Sequence, residues 1–120
     1  MIILYGLKNC DSCRASMKWL KEKKLDYQFI NLKIDPLNKE KLEKWVNIHS
    51  LDKVINKKST TWRQLDGKLK ERINSHFQDI LLQFPTLIKR PFWEVDFNVV
   101  DDLEPGFKKH QKDYLEKLKN

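Results

Sequence analysis

The sequence has few of the residues that build metal clusters, disulfide frameworks and flexible linkers. Its 120 residues include 2 cysteines, 3 glycines and 4 prolines, and the histidines at 49, 76 and 110 are dispersed. So little glycine and proline argues against a linker-rich or low-complexity protein. One cysteine pair supplies only half of the usual zinc ligand set, so we expect no metal site. Hydrophobic residues make up 40%, which is enough for a core without disulfides.

Long apolar runs are also missing from the sequence. No stretch reaches the roughly 18 apolar residues of a transmembrane helix, so we expect no membrane partner. The first apolar run, Ile2–Tyr5, is too short for a signal peptide and lacks a small-residue cleavage site. We therefore expect a cytoplasmic protein. In that reducing compartment a close cysteine pair is more often catalytic, redox-sensing or metal-binding than a permanent bridge.

The charge is positive, and arginine is scarce. The net charge is +7, and only 4 of the 24 basic residues are arginine: Arg14, Arg63, Arg72 and Arg90. A basic surface suits nucleic acid, an acidic protein or an anionic small molecule. Solvated helix faces in a lysine-rich chain give the same count, and we take them to explain most of the lysines.

The hydrophobic pattern predicts a strand, a helix and a second strand in the first third of the chain. Residues 2–5 form a buried apolar run, and residues 27–32 alternate apolar and polar side chains. Between them, apolar residues at helical spacing predict a helix over 12–24. A βαβ unit of this length implies two parallel strands joined by a right-handed crossover.

The rest of the chain is predicted to hold helices first and then a hairpin and a last helix. Residues 39–49 have helical periodicity with Asn38 as a cap, and residues 50–72 are polar and predict short helices. The remaining predictions are a helix over 73–81, strands over 86–88, 92–95 and 97–100, and a helix over 107–118. This order predicts an α/β, thioredoxin-like fold in a single domain, residues 1–120. Its four-stranded mixed sheet would carry a helical insertion between the βαβ and ββα halves.

The two cysteines, Cys10 and Cys13, lie where the first strand gives way to the first helix. Unpaired amides and the dipole at a helix start favour the thiolate form of Cys10. Lys8 and Arg14 add positive charge nearby, and Asp11 opposes them. Cys13 lies one turn further on and should face inward with its sulfur in reach of Cys10. Cys10 is then the nucleophile and Cys13 a resolving thiol. Cys13 on the core face of a helix is equally well explained as a packing residue.

Two arginines, Arg63 and Arg90, are candidate anion ligands. Planar guanidinium groups suit oxyanions and carboxylates. Arg90 precedes Pro91, so its backbone should be extended, and the Arg90–Pro91 bond can be cis. The alternative is that both arginines lie on the surface or form structural ion pairs, and the residues alone favour it.

Three segments, Tyr5–Cys13, Thr60–Arg63 and Pro85–Pro91, resemble the arsenate reductase (ArsC)/Spx/YffB family of thioredoxin-like proteins. The likeness extends over residues 2–118. The second and third segments are closest to the YffB-like branch, and the Cys-x-x-Cys-Arg start resembles Spx.

The resemblance implies a cytoplasmic thiol reductase with Cys10 as its nucleophile. It implies that Arg90, before Pro91, holds an oxyanion or a glutathione carboxylate near that thiol, with Arg63 placed less securely. Lys8 and Asn9, directly before Cys10, complete the candidate anion-binding set. No cofactor is expected to be bound. Glutathione or glutaredoxin would supply electrons, the substrate would be a small oxyanion or a mixed disulfide, and the protein would be monomeric.

Two features leave a second function open. Arsenate reductases of this kind carry an arginine in the C-terminal hairpin, whereas residues 94–106 hold five acidic residues and no lysine or arginine. An arsenate site would therefore lose one positive contact. The Cys10–Cys13 pair also fits a Spx-like redox-sensing regulator that binds RNA polymerase. A binding module with little turnover is a third alternative.

Overall fold

A computed structural model describes residues 1–119, which form two compact units. One unit consists of Met1–Asp35 together with the chain from Arg90 onward, and the other is Pro36–Lys89. We call them the sheet unit and the helical unit. The expectation of a single domain over 1–120 stays a prediction. No helix within the described residues is long and apolar enough to cross a membrane.

The sheet unit contains a four-stranded mixed sheet in the order β2-β1-β3-β4. β1 pairs with β2 in parallel and with β3 in antiparallel, and β4 pairs with β3 in antiparallel. This topology confirms the predicted α/β fold and its parallel βαβ unit. The elements are β1 (Ile2–Gly6), α1 (Asp11–Glu22), β2 (Tyr27–Asn31), β3 (Phe92–Val95), β4 (Asn98–Val99) and α7 (Lys109–Lys117).

The core of the sheet unit lies between the sheet and the helices α1 and α7, which contribute residues to one buried cluster with β1 and β3. Every residue of β1 is buried. Trp93 on β3 is fully buried, and its indole nitrogen donates to the Gly106 carbonyl oxygen at 2.8 Å. Gly106 has a φ of 114°, a conformation that favours glycine. The buried members of this cluster are Ile2, Leu4, Cys13, Leu20, Leu25, Trp93, Leu103 and Leu115.

A buried polar pair, Tyr5 and Glu94, crosses from β1 to β3. The Tyr5 hydroxyl donates to Oε1 of Glu94 at 2.5 Å, and both residues are only 2% exposed. Burial, and then the hydrogen bond to the Glu94 carboxyl, raises the pKa of Tyr5 far above its ordinary value. Tyr5 therefore stays protonated and ties the two strands together.

The helical unit consists of short helices around a buried tryptophan, Trp45. The predicted Asn38 cap is confirmed, because its side chain accepts from the Lys41 amide at 2.8 Å. The short helices predicted over 50–72 are also confirmed. The elements are α2 (Lys39–His49), α3 (Leu51–Val54), α4 (Thr60–Gln64), α5 (Gly67–Glu71), α6 (Ile73–Gln83) and a 3-10 helix (Pro85–Leu87).

The strand predicted over residues 86–88 is wrong. Pro85 begins the 3-10 helix, and the Leu87 amide turns back to donate to the Phe84 carbonyl at 3.0 Å. Only Ile88 is extended, and it forms a single antiparallel bridge with Ile55. Apolar character alone suggested a strand, but the fixed φ of proline at a helix start favoured the turn.

The four tryptophans divide equally between the units. Trp19 and Trp93 belong to the sheet unit, and Trp45 and Trp62 belong to the helical unit. In each unit one tryptophan is fully buried, Trp93 or Trp45, and the other is half-buried.

Candidate functional site

Cys10 lies at the junction between β1 and α1, as the residue that precedes the helix. β1 ends at Gly6, and a turn leads to Cys10, whose backbone is extended at φ −92° and ψ 123°. Its carbonyl accepts from the Arg14 amide at 3.0 Å, which begins the helical ladder. Within residues 1–119, the Cys10 side chain makes no capping hydrogen bond to α1. The half-buried sulfur is therefore not engaged in capping the helix.

Cys13 is a fully buried free thiol, in contrast to Cys10. It faces the core with Leu20, as predicted from the helical spacing. Burial is the main cause that raises the pKa of the Cys13 thiol to about 12. A hydrogen bond from the Leu7 amide lowers this pKa, and a hydrogen bond to Cys10 raises it. At neutral pH Cys13 is thus a protonated thiol that donates towards the Cys10 sulfur.

Gly6 makes this packing feasible. A Cβ atom placed on Gly6 would overlap the Cys13 sulfur and lie 3.4 Å from the Cys13 Cβ. Only a residue without a side chain lets α1 bring the Cys13 sulfur against the end of β1. In the sequence, the signal for this role is a glycine that closes an apolar strand.

Arg90 and Pro91 lie beside the thiol pair in the sheet unit. The peptide bond between them is cis, one of the two forms that an X–Pro bond allows. The Arg90 charge lowers the pKa of Cys13, which places the guanidinium group near that sulfur. Its Nη1 atom is buried and has no hydrogen-bond partner within the described part of the chain. A buried, unpaired guanidinium nitrogen is a ready donor to an anion, since leaving it unpaired costs free energy.

The other predicted anion ligands are exposed. Lys8 and Asn9 lie in the turn before Cys10. Arg63 lies in the helical unit, where its Nη2 atom donates to the Lys58 carbonyl oxygen at 2.8 Å. The sheet unit therefore contains all the predicted site residues except Arg63.

One of the positive charges near Cys10, that of Arg14, is paired with a carboxylate. Arg14, which was expected to support a Cys10 thiolate, donates to Asp11 at 2.7 Å. Exposed pairs of this kind are strongly screened by solvent. The buried Nη1 side of the Arg90 guanidinium is therefore a better candidate than Arg14 for stabilising negative charge near the cysteines.

Glu94 and Asp96, two of the acidic residues in 94–106, are engaged by neighbouring groups. Glu94 accepts from the Tyr5 hydroxyl, and Asp96 lies 2.6 Å from the Met1 amine. Val95, next to Asp96, pairs with Ile2, at the end of β1 remote from Cys10. Within residues 1–119, no cluster of three His, Cys, Asp or Glu side chains is arranged to hold a metal ion.

Comparison with known proteins points to one family. The sequence profile of the ArsC family matches residues 5–100. An uncharacterized protein of Haemophilus influenzae is 36% identical over 92 residues, which cover 76% of this chain and 81% of the relative. The global transcriptional regulator Spx of Lactiplantibacillus plantarum is 29% identical, covering 76% and 70%. The solved structure of a YffB protein superposes with a TM-score of 0.81 at 31% identity, covering 95% and 96%.

We expect the two thiols to differ sharply in chemical reactivity. Iodoacetamide at neutral pH should alkylate Cys10 and leave Cys13 unmodified, because Cys13 is sealed from solvent and its pKa is about 12. Peptide mapping by mass spectrometry measures both sites, and the denatured protein, in which both should react, is the control. Equal labelling of the two cysteines in the folded protein would contradict the burial of Cys13.

We also expect Gly6→Ala to destabilise the protein by roughly 1–3 kcal/mol, because the new methyl group overlaps the Cys13 sulfur. Cys13→Ala removes that sulfur, so the double variant should be more stable than the sum of the two single effects predicts. Urea unfolding of the four proteins gives the coupling free energy. A coupling of zero would show that Gly6 and Cys13 do not share this space.

Proposed function

The chain belongs to the ArsC family, and on this basis we propose that it is a thiol-dependent reductase with Cys10 as its nucleophile. The observation that carries the proposal is the pairing of a half-buried thiol at a helix start with a buried, unpaired nitrogen of Arg90. The first group supplies a nucleophile, and the second supplies a donor for an anionic substrate group. Both belong to the sheet unit.

The proposed reaction is thiol–disulfide exchange with a glutathione mixed disulfide. The Cys10 thiolate attacks the glutathione sulfur, a new S–S bond forms, and the substrate's S–S bond breaks. The departing thiolate takes a proton from solvent. A second glutathione, as its thiolate, then attacks the Cys10 adduct, releases oxidised glutathione and restores the Cys10 thiolate.

Arg90 and Cys13 have different proposed roles in this cycle. The Arg90 guanidinium would donate to a glutathione carboxylate or to a small oxyanion, a charge-assisted bond that suits its planar group. The Cys13 thiol would donate to the Cys10 sulfur. Because burial keeps Cys13 protonated at neutral pH, an external thiol is the better resolving group.

Steady-state assays with a glutathione mixed disulfide and with arsenate, side by side, test this proposal. Cys10→Ser should abolish turnover, whereas Cys13→Ala should keep it when glutathione is supplied. Arg90→Ala should lower kcat/KM by about tenfold to a hundredfold, since a charge-assisted hydrogen bond is lost. Arg90→Lys keeps the charge and is the matched control, with a smaller loss expected. Full activity in Cys10→Ser would reject Cys10 as the nucleophile.

A Spx-like regulator is the second candidate, favoured by the hydrogen bond between the two cysteine sulfurs. Thiols in such contact need little movement to form a disulfide, and one relative is named a global transcriptional regulator. In this function an oxidised Cys10–Cys13 pair would promote binding to RNA polymerase. Affinity capture from lysate should then retain polymerase subunits with the oxidised protein and not with Cys13→Ala. Equal retention by both proteins would exclude this redox control.

A further inference from the structure

Within the helical unit, the excess positive charge comes from one short segment. Residues 53–72 carry seven basic and two acidic side chains, a net charge of +5 against +7 for the whole chain. This segment contains the short helices α4 and α5. The excess charge of the helical unit is therefore a local property of this segment.

Trp62 holds two of these basic side chains close together. The ammonium groups of Lys57 and Lys70 each lie 5.6 Å from the centroid of the Trp62 ring. The Lys70 Nζ atom is also 3.4 Å from the Arg63 carbonyl oxygen, and Arg63 donates to the Lys58 carbonyl. We call Lys57, Lys58, Arg63 and Lys70 the cationic cluster. Its like charges repel, so an anionic partner would gain from all four at once.

Few acidic side chains oppose this cluster within the described chain. Asp52 lies 3.2 Å from the Lys57 ammonium in an exposed pair that contributes little. The Asp66 carboxylate accepts from the backbone amide of Lys68 at 2.7 Å and caps α5. Neither contact balances the net charge of the segment.

A mostly apolar cavity is lined by α4 and α5, which also carry Arg63 and Lys70 of the cluster, by the two residues between these helices and by Phe84. Its volume is about 280 Å³. Leucine and phenylalanine side chains form much of its wall, so it suits an aliphatic or aromatic side chain rather than a phosphate. The lining residues are Thr61, Gln64, Leu65, Asp66, Leu69 and Phe84.

We propose that the cationic cluster and this cavity together bind an acidic peptide segment that carries one apolar anchor residue. The carboxylates of the peptide would lie against the cluster, and the anchor would enter the cavity. A nucleic acid fits less well, because two ammonium groups already lie over the Trp62 ring that a base would stack on. The proposal uses neither cysteine, so it goes beyond the reductase function and can fail independently of it.

Fluorescence anisotropy with three labelled probes tests the proposal on the full chain. The probes are an acidic peptide with a central leucine, the same peptide with glycine in place of that leucine, and a single-stranded oligonucleotide. We expect the leucine peptide to bind most tightly and its affinity to fall as salt is raised. Cys10→Ser protein should bind it equally well. Tighter binding of the oligonucleotide, or no binding of the leucine peptide, would overturn the proposal.

Charge reversals locate the interface. Lys57→Glu with Lys70→Glu should weaken binding of the leucine peptide by about tenfold or more. Lys18→Glu with Lys33→Glu, the same charge change at exposed positions of the sheet unit, should change it by less than about twofold. Leu69→Ala should remove the difference between the two peptides. An equal loss in both double variants would show that only net charge matters and would overturn the proposal.

A further double variant keeps the test valid if Lys57→Glu with Lys70→Glu disturbs the fold. Lys58→Glu with Lys68→Glu reverses one exposed lysine of the cluster and one exposed lysine next to it in the segment, so the folded structure should be kept, as circular dichroism can verify. This variant too should bind the leucine peptide several-fold more weakly than the unchanged protein. Unchanged binding in this folded variant would exclude the cluster as the peptide site.

Discussion

The contact between the Cys13 sulfur and the bare backbone of Gly6 determines how the site is built. It lets α1 approach the end of β1 closely enough for the Leu7 amide and the Cys10 sulfur to meet Cys13. One sulfur is thereby sealed in the core while the other stays half-exposed at the helix start. Burial raises the pKa of the Cys13 thiol, so packing and not sequence spacing sets the chemistry of that side chain.

Two polar pairs of the sheet unit lie towards opposite ends of β1, and one is exposed while the other is buried. The Met1 amine and Asp96 form an exposed ion pair at one end, and Tyr5 and Glu94 form a buried hydrogen bond nearer the other. Arg90 contributes a buried guanidinium nitrogen beside the cysteines. The acidic residues in 94–106 argued against an anion site. Asp96, however, lies at the end of β1 remote from Cys10, and Glu94 accepts from the Tyr5 hydroxyl.

Local patterns predicted those features of the fold that local interactions determine. The Asn38 cap and the inward direction of Cys13 follow from capping chemistry and periodicity within a few residues. The parallel βαβ unit follows from the order and length of its elements. The prediction of a strand over 86–88 was wrong because a strand needs a pairing partner along its length. Within residues 1–119 this segment has a single bridge, between Ile88 and Ile55. The role of Gly6 was missed for a related reason: its cause is a sulfur on another element, which no window of sequence around Gly6 contains.

The even distribution of the four tryptophans provides the chain with intrinsic optical labels. Each compact unit has one indole in an apolar interior and one partly in contact with water, so each should emit over two wavelength ranges. A protein in which Trp45 and Trp62 are replaced by phenylalanine would report on the sheet unit alone, and the complementary protein on the helical unit alone. Their denaturation profiles, recorded by fluorescence, would reveal whether the two units lose structure in one transition or in two.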